Sequence, residues 1–133
     1  MTEAINYIKS LRPSNPPKID LLIVPILGFL DSRIPTNELA VDNNGNFIIS
    51  WSGPGTGDSY GIFAQRYNSA GVAQGTNFLV NSYTTGNQQA PAIATDNNGS
   101  FIITWVGPGA EDTSNGVFAQ RFNSNGVAQG SNF

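Results

Sequence analysis

The side chains best suited to chemistry in this chain come in pairs. Asp42 and Asp96 each open an Asp-Asn-Asn-Gly loop, Arg66 and Arg121 each close an Ala-Gln-Arg triplet, and Trp51 and Trp105 each end a Phe-Ile-Ile-(Ser/Thr)-Trp run. The Asp loops invite a calcium reading, because Asp, Asn and Gly supply oxygens and a tight turn. A calcium loop usually offers three or more such ligands at alternating positions and a late acidic residue. Here one Asp and two Asn precede the Gly and no carboxylate follows within the loop. The expected role is therefore a hairpin turn with the Asp bonded to its own backbone. No cofactor is expected, with calcium the one candidate considered.

The arginines pose a sharper question. In a strand, Arg66 shares a face with Ile62 and Ala64, and Arg121 with Val117 and Ala119. An arginine on a small, apolar face is either paired with a carboxylate or placed for an anion. Asp42 and Asp96 are the acids that recur once per unit, so an Arg–Asp tie is the expectation. The tryptophans could stack on sugar rings, but each shares a face with a Phe and an Ile, and packing between sheets is the simpler account. A glycosidase would need two carboxylates across a cleft. Asp58, Glu111 and Asp112 are the candidates, expected to be solvated loop residues. With no histidine and no cysteine, the usual general base, the commonest metal ligand and all thiolate chemistry are missing. A non-enzymatic role follows.

The elements that must position these residues are written twice. Asp42–Gly55 returns as Asp96–Gly109 with changes only at Asn46/Ser100, Ser50/Thr104 and Ser52/Val106. Gly61–Phe78 returns as Gly116–Phe133 with changes only at Ile62/Val117, Tyr67/Phe122, Ala70/Asn125 and Thr76/Ser131. The offset grows from 54 to 55 because the spacer between these blocks is one residue longer in the second copy, which marks a surface loop. Each copy divides into four short strand candidates joined by Gly-containing turns, the fourth complete only in the first copy. The predicted fold is all-β: two tandem four-stranded antiparallel meanders of propeller-blade type, residues 37–90 and 91–133. The second strand alternates, with Phe47, Ile49 and Trp51 on one face and Ile48 and Ser50 on the other. Apolar residues on both faces predict sheets stacked on one another.

Residues 1–36 are predicted to form a short helix, a Pro-rich linker and an apolar strand. The run Leu21–Leu30 is too short to span a membrane and is interrupted by Pro25 and Gly28. Four of the six basic residues lie in this segment, and the repeats carry only Arg66 and Arg121 against six acids (Glu38, Asp42, Asp58, Asp96, Glu111 and Asp112). No basic patch for nucleic acid is present.

The motif running from Asp42 to Asn81 resembles a repeat of very large secreted or surface proteins of bacteria. Their pattern is roughly D-x-x-G-x-F-V-V-x-W, then G-I-x-A-Q-R-F/Y, then a closing N-F-x-V-N strand. The resemblance covers Asn37–Phe133 and implies a propeller-like or otherwise stacked β architecture outside the cell, with an adhesive or scaffolding role. Two blades do not close a ring of four to eight, so the expected partner is the chain itself, completed by other copies or further repeats, with a surface glycan or protein as possible ligand. The alternative is a filament subunit joined head to tail. In either case Leu21, Leu22, Ile23 and Val24 are expected to pair, by strand addition, at the unfinished edge left by Asn132 and Phe133.

Overall fold

The computed structural model describes residues 37–133 apart from Asp112. The expected N-terminal helix, linker and apolar strand, including Leu21, Leu22, Ile23 and Val24, lie outside the described residues. Seven strands follow in order: β1 (Asn37–Val41), β2 (Phe47–Gly55), β3 (Asp58–Tyr67), β4 (Phe78–Leu79), β5 (Gln89–Thr95), β6 (Phe101–Pro108) and β7 (Asn115–Phe122). They form two antiparallel sheets, β1-β2-β3-β4 and β5-β6-β7, each a simple meander. The described residues contain no helix.

The repeat is visible at the level of register. Phe47 faces Tyr67 and Trp51 faces Phe63 across β2 and β3, as Phe101 faces Phe122 and Trp105 faces Phe118 across β6 and β7. The ring pairs superimpose in kind: 4.9 Å between centroids for Phe47–Tyr67 and for Phe101–Phe122, and 6.2 Å for both Trp–Phe pairs. Cross-strand aromatic pairs on one face are the unit that fixes such a register.

The same turn follows the first and third strands of each repeat. Asp42 Oδ1 accepts the N–H groups of Asn44 (2.8 Å) and Asn46 (3.0 Å), and Gly45 donates back to the Asp42 carbonyl at 3.0 Å. Asn68, Asp96 and Asn123 repeat these bonds. Asp and Asn both serve here because the turn's backbone bonds use Oδ1 alone. The chain must then turn through φ +79° at Gly45, which glycine adopts without steric cost.

The fourth strand is shorter than the sequence predicts. Pairing with β3 runs through Ala64–Phe78 and Phe63–Leu79, and the Val80 N–H still reaches the Ile62 carbonyl at 2.8 Å. There the ladder stops, because the Asn81 side chain takes the Ile62 N–H at 2.7 Å. In the second repeat Phe133 exchanges both backbone bonds with Ala119, at 2.8 and 3.1 Å, which is where Phe78 meets Ala64 in the first. A fourth strand is thus initiated, and the second sheet counts three.

The core lies between the sheets. Ile48, Ile62, Ala64 and Val80 of the first repeat pack against Phe101, Ile103, Trp105 and Phe122 of the second. The first repeat gives the face that carries Ile48 and the second gives the face that carries Trp105, so the contact joins two unlike faces. β5 approaches both β1 and β2 closely, whereas β6 and β7 contact the first sheet mainly through side chains.

Candidate functional site

Chemistry-bearing residues of both repeats converge at one end of this inter-sheet contact. β3 ends in the Ala-Gln-Arg triplet, and its Arg66 side chain reaches across to the second repeat. Arg66 Nη1 donates to the Ser124 carbonyl at 2.8 Å, and Nη2 lies 3.5 Å from the Gln74 carbonyl. The expected Arg66–Asp42 tie is therefore not how the guanidinium is satisfied. Asp42 spends its carboxylate on its own loop, including the Asn46 amide at 2.9 Å, and Arg66 finds carbonyls in its place. Both residues nonetheless line one small cavity of about 200 Å³, closed by Asn98, Gly99 and Ser124 of the second repeat.

Glycine is required where these loops approach. A Cβ on Gly126 would stand 2.7 Å from Arg66 Nε, and its φ of +79° disfavours a side chain independently. A Cβ on Gly99 would come within 3.2 Å of Asp42 Oδ2. The turns of the second repeat thus seat on the Asp and Arg of the first.

The second repeat carries the same receiving residues, and among the described residues no other turn is seated on them. Arg121, the counterpart of Arg66, is exposed, and its guanidinium lies 5.9 Å from the centroid of the Phe133 ring. Around it opens a groove of about 690 Å³ bordered by Asp96, Ser100, Ile102, Arg121, Asn123 and Gln129. Their counterparts Asp42, Asn46, Ile48, Arg66, Asn68 and Gln74 all line the closed cavity of the first repeat. One surface thus occurs twice, once covered and once open. Ile62 is 0 % exposed and its counterpart Val117 is 75 % exposed.

The remaining expected residues fall as follows. Trp105 is buried between the sheets at 3 % exposure, so its ring faces are taken by protein. Trp51 is half-buried beside Phe47, Ile49, Leu39 and Tyr67 on the opposite face of the first sheet. Asp96 is exposed and bonds to its own turn. Asn132 is engaged within the chain: its Oδ1 accepts from the Ser82 backbone at 2.7 Å and hydroxyl at 2.6 Å, and its Nδ2 donates to Gln120. Phe133 is 64 % exposed.

Two roles were not read from the sequence. Asp58, expected to be solvated, is buried at 5 %; its Oδ2 accepts from Asn81 at 2.7 Å and its Oδ1 from the Tyr60 N–H at 3.0 Å. A Cβ on Gly61 would collide with this carboxylate, which explains the glycine at that position of the first repeat; its counterpart Gly116 meets only the Phe118 ring, at 3.4 Å. Glu111 is exposed, and Asp112 lies outside the described residues. The glutamine of Ala-Gln-Arg is the other. Gln65 Nε2 bonds the Arg66 and Gly75 carbonyls at 2.9 and 3.1 Å, and Gln120 does the same to Arg121 and Gly130 at 3.0 and 3.1 Å. Each clamps the Gly-Val-Ala-Gln-Gly segment back onto its strand. Recurrence in both repeats was the available signal.

A second cavity of about 200 Å³ lies by Trp105, Phe118, Tyr83, Pro108 and Phe133. Gln88, 1 % exposed, borders it with an Oε1 that has no hydrogen-bond partner. Among the described residues no group of three or more His, Cys, Asp or Glu is placed to hold a metal ion. No family model, curated protein or solved structure matches the chain.

Proposed function

We propose that the chain is a non-enzymatic repeat module of propeller-blade type that assembles with copies of itself or with further repeats and serves adhesion or ligand binding outside the cell. The observation that carries this reading is the paired fate of Ile62 and Val117, one position of one repeat, 0 % exposed where a second sheet covers it and 75 % exposed where none does among the described residues. An apolar, small-residue sheet face of this kind is what blade-on-blade packing uses. The close approach of β5 to β1 and β2 further supports blades that converge on a common axis. Unlike faces meeting head to tail give rings when the rotation closes and filaments when it does not.

The extracellular and adhesive parts rest on the resemblance of the Asp42–Asn81 motif to repeats of secreted and surface proteins. The molar mass in solution tests assembly. A fixed small multiple, about two to four chains for a ring of four to eight blades, supports the propeller. An open-ended distribution supports the filament, and a chain that stays monomeric at all concentrations refutes both. A glycan array probed with the assembled form tests adhesion, with no binding to any glycan counting against a carbohydrate ligand.

A further inference from the structure

We draw no further inference here: the strongest candidate, the apolar outer face of the first sheet around Phe47, Ile49, Trp51 and Tyr67, is already covered, with Phe47 2 % and Ile49 3 % exposed, and nothing among the described residues shows what covers it.

Discussion

Ile62 and Val117 occupy one position of the repeat, so truncating each to alanine measures what the neighbouring sheet contributes. Ile62 is fully buried in the inter-sheet core. Ile62→Ala removes three side-chain carbons, worth about 2.4 kcal/mol in transfer. The cavity left between two sheets that cannot fully collapse adds about 1 kcal/mol, and the lost β-branching roughly 0.5 kcal/mol. We expect a total near 4 kcal/mol. Val117→Ala removes two carbons from a side chain that is 75 % exposed, worth about 0.4 kcal/mol, with the same propensity loss. It should stay below about 1 kcal/mol.

Urea unfolding at low protein concentration, where association is absent, reads the difference. Trp105 lies in the contact, so its fluorescence and far-ultraviolet dichroism should move together if the two sheets unfold as one unit. A gap of about 3 kcal/mol corresponds to a midpoint difference of about 1–3 M urea at typical slopes for small domains. Equal losses for the two variants would refute the reasoning, since they would mean that burial at this position comes from within each repeat.

Three further outcomes are expected. Gly126→Ala and Gly130→Ala share a φ near +80°, but only Gly126 meets Arg66, and Gly130 has no atom within 4 Å of an added Cβ. Gly130→Ala should cost about 1 kcal/mol, Gly126→Ala about 2 kcal/mol, and the excess should vanish in an Arg66→Ala background. Ser52→Ala should raise the urea midpoint by the equivalent of about 1 kcal/mol, because the Ser52 hydroxyl is 1 % exposed and has no hydrogen-bond partner. Burial raises the Glu38 carboxyl above its usual 4.5, so the folded state holds a proton more readily than the unfolded chain does. Stability from this group is full below the usual value and falls as pH rises through the raised one. Glu38→Gln should remove that slope, which urea midpoints measured between about pH 4 and pH 7 will show.

Much of the architecture was legible because it rests on period and on turns. Alternation in Phe-Ile-Ile-(Ser/Thr)-Trp places Trp51 and Ile48 on opposite faces whatever the tertiary structure, and Asp42 or Asn68 can nucleate a turn from local bonds alone. What the sequence hid depends on residues far apart in the chain. Arg66 finds Ser124, 58 positions away, and a backbone carbonyl leaves no mark in the sequence, so the recurrent carboxylate was the natural but mistaken partner. Asp58 is buried because Asn81 and the bare Cα of Gly61 close around it. Nothing local distinguishes it from a solvated loop acid such as Glu111.

The position of Arg66 also explains why the motif keeps an arginine that forms no ion pair with its own repeat. An Arg–Asp tie within one blade would have satisfied both groups and left a neutral edge indifferent to its neighbour. Arg66 Nη1 bonds a carbonyl of the next repeat, so that bond forms only when the repeat is seated in register. A one-residue slip of the incoming strands would point Ile103 and Trp105 to solvent and withdraw the Ser124 carbonyl together. Hydrophobic area drives the sheets together without direction, whereas the Arg–carbonyl bond selects one orientation of two unlike faces. The pair therefore makes stacking directional, and directional stacking of unlike faces leaves one of each open unless the array closes into a ring. Among the described residues, the receiving face bearing Val117 and Arg121 is uncovered, whereas the one bearing Ile62 and Arg66 is filled.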